Sequence, residues 1–525
     1  MSQRATRLLH DALLASADFP ERAHKPAVVT EGIVHTYGEL LDSAQRLASA
    51  LADRGVVRGD RVALYMDNTW PCVVSIYAVL MAGAVILPVN PQTKSAKLDF
   101  ILEDSGARVL ITDGHIAHEF LPLLDRRQAA LTVICSGELP DTQGIECFDE
   151  VIRNAPLRPP CAGTIPLDLA ALIYTSGSTG QPKGVMQTHQ SMVFAVGSLV
   201  EYLRLGSDDC LLCVLPLSFD YGLYQLLMAT HLGATLVLER SFTFPAKVFA
   251  RMREFGVTVF PGVPTIFSML LSMHRREPLR FEQVTRMTNT AAALADATTV
   301  QLREIFPHAL IYKMYGLTEC KRVSYLEPEL LDAKPGSVGK AIPGTEVLLL
   351  TTDGQPVPAG ETGILHVRGP HVMLGYWNRP DLSARMLRPG RLPGERVLCT
   401  QDYFRMDDEG YLYFVGRSDD IIKSRGEKVS PVEVENAMLA LDGIREVAVA
   451  GVPDELLGQA VRAYVVLQPG YAMSGGQIRA KCMALMENFM VPQQIVLCTD
   501  LPRTANGKVD KRALLETATV ELERS

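Results

Sequence analysis

The segment from Tyr174 to Val185, YTSGSTGQPKGV, holds the residue types that suit a polyphosphate. Its three glycines let backbone N–H groups point at one anion, and its serine and threonine hydroxyls add hydrogen-bond donors. Lys183 adds a positive charge at the end of the segment. The apolar run from Leu169 to Ile173 comes directly before it, and the G-x-x-x-x-G-K-[ST] spacing of the Walker A loop is absent. The pattern predicts an anion-binding loop after a strand, with a flexible surface loop as the alternative.

Four later segments follow in chain order: MYGLTE from Met314, CTQDYF from Cys399, GRSDDIIKSRGEKVSPVEVE from Gly416 and PRTANGKVDKRAL from Pro502. Together with the loop they resemble the signature segments of the AMP-forming adenylating superfamily. That superfamily includes acyl-CoA synthetases, adenylation domains of peptide synthetases and firefly luciferase. The resemblance covers nearly the whole chain, and we interpret the protein as an acyl-CoA synthetase-like member.

The resemblance implies which residues bind ATP and AMP. Tyr315 would stack on adenine, Glu319 would hold Mg²⁺, and Asp402 would accept hydrogen bonds from the ribose hydroxyls. Gln401 stands where glycine is usual before this aspartate, which leaves the local backbone geometry in question. The expected nucleotide-binding residues are Thr175, Ser176, Gly177, Ser178, Thr179, Gly180, Lys183, Tyr315, Gly316, Thr318, Asp402 and Arg417.

The same resemblance assigns catalysis and movement. Lys508, Lys183 and Glu319 would be the catalytic residues, with Lys508 reaching the site from a lid. Asp419 would be the hinge of that lid, and Gly426 would line the thiol channel in a second conformation. Without the resemblance, these side chains would be interpreted as charges on exposed loops.

The acid-binding residues implied by the resemblance are Phe219, Asp220, Ala291, Ala292 and Ala293. Amino-acid-adenylating relatives have Phe-Asp at the first two positions, and their aspartate binds the substrate amine. Tyr221 and Gly222 depart from the pattern that usually follows it. Two interpretations of Asp220 therefore stay open: an amine ligand, or a buried carboxylate satisfied by backbone donors.

The composition limits the possible classes of protein. A chain of 525 residues, 47% hydrophobic and 21% charged, suits a soluble protein with more than one domain. The net charge of −8 gives no general attraction to nucleic acid or anionic membrane. Pro71 to Thr93 lacks charge, but Gly83, Pro88 and Pro91 interrupt it, so it predicts a buried helix and strand rather than a membrane span. We expect a cytoplasmic protein with reduced cysteines, and Cys210-x-x-Cys213 in a buried strand rather than a zinc or redox site.

Strand-like runs alternate with helical patterns over the first two-thirds of the chain, which predicts α/β layers with largely parallel sheets. After Gly336 the short runs and turns indicate a β-rich, barrel-like subdomain. The resemblance places the large domain at residues 1–418, with α/β subdomains to about residue 335 and the β-rich subdomain at 336–418. A smaller, mobile α+β lid would follow at 419–525.

The expected activity follows from the resemblance. A carboxylate attacks the α-phosphorus of ATP, pyrophosphate leaves, and a thiol then displaces AMP from the acyl-adenylate. ATP and Mg²⁺ are the expected cofactors, with CoA or phosphopantetheine as the thiol acceptor. The partner is a small carboxylic acid. The alternative is a stand-alone amino-acid adenylation enzyme that loads an acyl or peptidyl carrier protein, which Asp220 favours.

Overall fold

The structure is a computed structural model, which describes residues 6–17, 20–127, 131–139, 142–158, 163–175, 182–290, 294, 296–417, 420–424, 427–454, 458–486, 488, 490–504, 508–511 and 513–516. The strands are β1 Pro26–Thr30, β2 Ile33–Thr36, β3 Arg61–Tyr65, β4 Val85–Val89, β5 Val109–Asp113, β6 Thr132–Ser136, β7 Ile145–Cys147, β8 Leu169–Thr175, β9 Lys183–Thr188, β10 Cys210–Cys213, β11 Thr235–Leu238, β12 Val259–Gly262, β13 Arg286–Asn289, β14 Leu310–Tyr315, β15 Ser324–Leu326, β16 Ser337–Ala341, β17 Glu346–Leu350, β18 Thr362–Arg368, β19 Gly375–Tyr376, β20 Leu387–Pro389, β21 Arg396–Met406, β22 Leu412–Arg417, β23 Ile422–Ser424, β24 Glu427–Val429, β25 Ile444–Asp454, β26 Gly458–Leu467 and β27 Gln494–Cys498.

The helices connect these strands and cover the sheets. They are α1 Asp11–Ala17, α2 Pro20–Ala23, α3 Tyr37–Asp53, α4 Trp70–Met81, α5 Ser95–Ser105, α6 Ala117–Arg127, α7 Phe148–Asn154, α8 His189–Tyr202, α9 Asp220–Leu232, α10 Pro245–Glu254, α11 Pro264–His274, α12 Asp296–Ile305, α13 Pro380–Met386, α14 Pro431–Leu439 and α15 Gly475–Cys482.

Helix α4 and strand β4 confirm the predicted buried helix and strand. Thr69 caps α4 by accepting a hydrogen bond from the backbone N–H of Cys72, and the helix is buried along nearly its whole length. It ends before Gly83, whose φ of 73° suits a residue without a Cβ. In the part of the chain that the structure describes, we find no helix long and apolar enough to cross a membrane.

Two large sheets form the body of the protein. One runs β19-β9-β8-β4-β3-β5-β6-β7, and its strands are parallel from β8 to β7. The other runs β17-β18-β21-β22-β16-β15-β14-β13-β12-β10-β11-β1-β2 and is parallel from β14 to β1. The carboxyl ends of parallel strands share one edge of a sheet, so the loops after β10, β13 and β14 gather there.

The β-rich part after Gly336 is antiparallel, and it joins the second sheet through β16, β15 and β14. A third sheet, β24-β23-β26-β25 with β27 beside β26, has its own hydrophobic core with α14 and α15. The cysteines Cys210 and Cys213 are buried free thiols in β10, as predicted. The described cysteines are all free.

Candidate active site

The turn between β14 and β15 is the centre of the site. The backbone N–H of Val323 donates to the carbonyl of Tyr315 at 3.0 Å, which closes the turn into a hairpin. A Cβ on Gly316 would lie 2.3 Å from the carbonyl oxygen of Lys321, so only glycine fits this close approach. The turn carries Glu319 toward β9 and Lys321 toward α9. One short segment thus carries functional side chains toward two separate groups of residues.

On the first side, Lys183, Glu319 and Tyr376 form a largely buried cluster in which Lys183 is the most exposed member. Lys183 Nζ donates to Glu319 Oε1 at 3.2 Å and to the Tyr376 hydroxyl at 2.8 Å. The Tyr376 hydroxyl donates to the same Glu319 oxygen at 2.6 Å. Burial raises the pKa of Tyr376, and the charge on Glu319 raises it further, so the phenol stays protonated. The structure therefore brings together two predicted residues and one that the sequence did not identify.

Tyr315, Asp402 and Arg417 form a second cluster beside the first. The Tyr315 hydroxyl donates to Asp402 Oδ2, and Arg417 Nε donates to Asp402 Oδ1 at 3.2 Å. Burial raises the pKa of Asp402 above its ordinary value, although Arg417 and Tyr315 both favour the charged form. Asp402 is thus a buried hydrogen-bond acceptor held between Tyr315 and Arg417.

Gln401 adopts the backbone conformation that glycine would take. Its φ is 60°, and it lies where the β18–β21 register shifts between the pairs of Ile364 and His366. A left-handed residue at such an irregularity is the geometry of a glycine-type bulge. Gln401 therefore keeps the glycine-type backbone, with the strain that a Cβ adds there, and Asp402 is buried beside it.

Asp220 has a partner that neither interpretation of the sequence included. It begins α9, and its Oδ2 accepts a hydrogen bond from Lys321 Nζ at 3.2 Å. The partner that the structure shows is therefore a lysine side chain rather than a backbone donor. Burial pushes the pKa of Asp220 upward, but Lys321 and Arg322 outweigh it and hold the pKa below its ordinary value. A substrate amine would have to compete with an internal lysine for this carboxylate.

The departure at Tyr221 and Gly222 has a local explanation. A Cβ on Gly222 would lie 2.2 Å from the carbonyl oxygen of Pro216, so the preceding turn requires glycine. The Tyr221 hydroxyl bonds to the carbonyl and the hydroxyl of Thr288, at 2.9 and 2.7 Å. Tyr221 thus holds the start of α9 against β13, and Gly222 lets α9 pack closely on the turn after β10.

Lys508 reaches this site from the C-terminal region. Its backbone carbonyl accepts from the N–H of Thr504 at 2.8 Å, and its side chain keeps contact with solvent. The surrounding protein lowers the pKa of Lys508 by desolvation and Arg417 lowers it further, while Asp220, Asp402 and Glu319 oppose the shift. Lys508 therefore lies within electrostatic range of both clusters and of Asp220.

The structure describes some of the remaining predicted residues and not others. Thr175 ends β8 opposite Lys183, Thr318 accepts at its carbonyl from Gln187 Nε2 at 2.9 Å, and Phe219 precedes α9. The predictions that lie outside the described residues concern Ser176, Gly177, Ser178, Thr179, Gly180, Ala291, Ala292, Ala293, Asp419 and Gly426.

Tyr376, Lys321 and Arg322 were missed by the sequence analysis. Tyr376 lies in MLGYWNRP, an aromatic pair between glycine and proline, which was a usable signal. Lys321 and Arg322 directly follow MYGLTEC, and both are buried. Two adjacent cations directly after a nucleotide motif were the available signal for this pair.

The chain is similar to known proteins over most of its length. The family model of the AMP-binding enzyme matches residues 17–377, and that of its C-terminal domain matches residues 433–508. The chain is 32% identical over 507 residues to the 3-[(3aS,4S,7aS)-7a-methyl-1,5-dioxo-octahydro-1H-inden-4-yl]propanoyl:CoA ligase of Rhodococcus jostii, which covers 93% of this chain and 95% of that protein. It is 33% identical over 491 residues to the feruloyl-CoA synthase of an Amycolatopsis species, with coverage of 93% and 95%.

A solved structure extends the likeness to the whole fold. The anthranilate CoA ligase AuaEII in complex with anthranoyl-AMP matches with a TM-score of 0.89 at 28% identity, over 100% of both chains. These matches confirm the expected α/β fold class and the expected reaction class. The chain therefore belongs to the AMP-binding enzyme family, among its AMP-forming CoA ligases.

Proposed function

We propose that this chain joins a small carboxylic acid to coenzyme A in two steps at the edge of the second sheet. The main observation in its support is the ion pair between Lys183 Nζ and Glu319 Oε1 at 3.2 Å. This pair lies beside Asp402, and Lys508 is within electrostatic range of it. These residues come from four separate motifs of the sequence. Their convergence supports one site for both the nucleotide and the acid.

ATP would bind along the two clusters. Asp402 would accept hydrogen bonds from the ribose hydroxyls, and Arg417 would contact the ribose or a phosphate. The Thr175 hydroxyl is buried and has no hydrogen-bond partner within the described residues, so it fits a phosphate oxygen at the start of the loop. Tyr315 would stack on adenine while its hydroxyl stays on Asp402.

Glu319 is the residue that would hold Mg²⁺. Carboxylate oxygens are ligands that this hard cation prefers. Within the described chain, both hydrogen bonds to the Glu319 carboxylate reach Oε1, which leaves Oε2 for a ligand. Bound Mg²⁺ would neutralise phosphate charge. Lys183 would move from Glu319 toward the phosphates as the nucleotide enters.

In the first step, the acid's carboxylate oxygen attacks the α-phosphorus of ATP and the bond to pyrophosphate breaks. Both reactants are anions, so Lys183 and Lys508 would act by orienting them and stabilising their charge. In the second step the CoA sulfur bonds to the acyl carbon, the bond to AMP breaks, and the thiol proton passes to water. Lys508 would withdraw first, since it lies at the mouth of the site.

That withdrawal requires a moving lid. We propose the domain boundary at residue 418, the hinge at Asp419, and Gly426 in the thiol channel of the second conformation. CoA is the acceptor that the relatives' activities favour, and we propose a cytoplasmic location for the enzyme. The carrier-loading alternative loses its main support, because Asp220 is already paired with Lys321.

The test measures pyrophosphate release that depends on an added carboxylic acid. The panel contains aliphatic acids, aryl acids and amino acids, each assayed with and without CoA. We expect pyrophosphate with a subset of acids, and AMP with a thioester only when CoA is present. Lys183→Ala should abolish pyrophosphate release. Lys97→Ala, which changes an exposed lysine in α5, should retain it. A folded sample that binds ATP but releases no acid-dependent pyrophosphate would contradict the proposal.

A further inference from the structure

Strand β19 carries Tyr376 at the edge of the first of the two large sheets, and it is only two residues long. Strands in proteins usually have about three to ten residues, so backbone pairing with β9 alone holds β19 weakly. The Tyr376 hydroxyl nonetheless has to meet both Lys183 and Glu319. The position of this strand therefore depends on contacts from outside the sheet.

Asp104, near the end of α5, makes such contacts with the three residues that follow Tyr376. Its backbone carbonyl accepts from the Trp377 indole N–H at 2.9 Å and from Asn378 Nδ2 at 3.1 Å. Its carboxylate Oδ1 accepts from Arg379 Nη2 at 3.0 Å. The three donors are consecutive in the sequence, so one residue of α5 fixes the chain directly after Tyr376.

The other carboxylate oxygen of Asp104 reaches β8, which lies on the opposite side of β9 from β19. Its Oδ2 accepts from the Tyr174 hydroxyl at 2.6 Å. Burial raises the pKa of Tyr174 and the bond to Asp104 raises it further, so the phenol stays protonated and donates. A Cβ on Gly184 would lie 3.2 Å from two carbons of the Tyr174 ring, so this ring contacts the backbone next to Lys183.

Asp104 thus holds both neighbours of β9 at the point where β9 begins with Lys183. Hydrogen bonds to a charged carboxylate are stronger than bonds between neutral groups, and this side chain is only 10% exposed. We propose that Asp104 is a positioning residue that sets the spacing of Lys183 and Tyr376. The inference rests on the proposed function, since it concerns the nucleotide step of that reaction.

The first experiment measures the two half-reactions separately by single-turnover kinetics. Asp104→Ala removes both side-chain bonds and keeps the backbone carbonyl. We expect acyl-adenylate formation to slow by about 10-fold or more, the range for losing a hydrogen bond to a charged group. Thioester formation from a supplied acyl-adenylate should be nearly unchanged, because in the proposed mechanism Lys183 acts in the first step.

Two further variants accompany Asp104→Ala. Tyr174→Phe removes one of the two bonds and keeps the ring, so it should show the same selective loss to a smaller extent. Glu103→Ala is the matched control, because it changes the exposed acid directly before Asp104 in α5. It should leave both rates unchanged.

The second experiment follows the chain after β19 directly. The protein has two tryptophans, Trp70 and Trp377, so in a Trp70→Phe background the fluorescence reports on Trp377 alone. Adding Asp104→Ala should increase the quenching of Trp377 by acrylamide, because Arg379 and Tyr174 lose the carboxylate that holds them. Adding Glu103→Ala should leave the quenching unchanged.

Equal slowing of both half-reactions by Asp104→Ala would indicate a general loss of structure and would overturn the inference. Unchanged rates, or selective slowing without a change at Trp377, would overturn it as well. Should Asp104→Ala fail to fold, Asp104→Asn, which keeps the shape of the side chain and removes its charge, takes its place in both experiments. A wild-type enzyme that releases no pyrophosphate with any acid would instead overturn the proposed function.

Discussion

Lys183 and Glu319 lie 136 residues apart in the sequence and meet at 3.2 Å, where both also bond to the hydroxyl of Tyr376. The pair is partly screened from water, with side-chain exposures of 21% and 9%. The cation and the carboxylate neutralise each other while the hydroxyl holds both in place. A nucleotide would have to separate them, so we expect loss of the Tyr376 hydroxyl to change how the pair responds to ATP.

Tyr376→Phe should lower kcat/KM for ATP by about 10-fold or more, because the loss of a hydrogen bond to a charged group costs about 1.5–3 kcal/mol. The aromatic ring remains, so the melting temperature should change by only a few degrees. Initial rates of pyrophosphate release over a range of ATP and Mg²⁺ concentrations measure the effect. Tyr65→Phe is the control, since it also removes a buried hydroxyl, here one that donates to the carbonyl of Thr93 at 2.7 Å. An equal loss of activity in both variants would refute a specific role for Tyr376.

Lys508→Ala should slow acyl-adenylate formation by roughly 10²-fold or more, the scale for removing a preorganised charge contact. Thioester formation from a supplied acyl-adenylate should survive, because we propose that Lys508 withdraws before that step. Single-turnover measurements of the two half-reactions separate the effects. Lys481→Ala, which changes an exposed lysine in α15, should leave both rates unchanged. Equal slowing of both half-reactions by Lys508→Ala would exclude the proposed role.

Gln401→Gly should stabilise the protein by roughly 0.5–1 kcal/mol. A left-handed conformation costs a residue with a Cβ about 1–2 kcal/mol, and the greater freedom of glycine in the unfolded chain offsets only part of that gain. Urea midpoints at constant m-value measure the change. Thr362→Gly provides the comparison at an exposed strand residue of β18, where glycine should destabilise. The strain argument fails if the two variants are destabilised alike.

Stability should fall as the pH drops from 6.5 to about 4, in part because of His189. Burial lowers the pKa of His189 to about 4, the neighbouring His10 lowers it further, and Asp168 and Asp11 oppose the shift. The unfolded imidazole binds a proton near pH 6.5, so in this window the unfolded state holds more protons and stability rises with pH. The full contribution is on the order of 3 kcal/mol, and below about pH 4 it no longer changes.

Urea unfolding at pH 7, 5.5 and 4.5 tests this linkage. His189→Gln should flatten the dependence of stability on pH, whatever its effect on absolute stability. His308→Gln, at an exposed histidine, should keep the wild-type slope. A His189→Gln slope equal to that of the wild type would show that other groups dominate.

The sequence determined the elements and the nucleotide motifs. The apolar runs RVALYM, AVILPV, RVLITD and CLLCVL predict strands, and they contain β3, β4, β5 and β10. The Asp-Gly turn from Asp407 to Gly410 predicts a hairpin, and it joins β21 to β22. The sequence pattern predicts helices at residues 431–441 and 476–486, and the structure ends α14 at Leu439 and α15 at Cys482. Helices, strands and tight turns depend on the apolar pattern and the turn residues within one short segment. The sequence of that segment is therefore enough to predict them.

Only the tertiary structure decided which charges meet. Asp220 pairs with Lys321, and Tyr376 joins Lys183 to Glu319, although none of these partners is near the other in the sequence. The β-rich segment also joins the second sheet, which its local pattern of short strands could not indicate. A charged residue carries the same local signal whether it is solvated or paired. Its partner is set by strand order and by the close approach of backbones at positions such as Gly316, and these are properties of the folded chain.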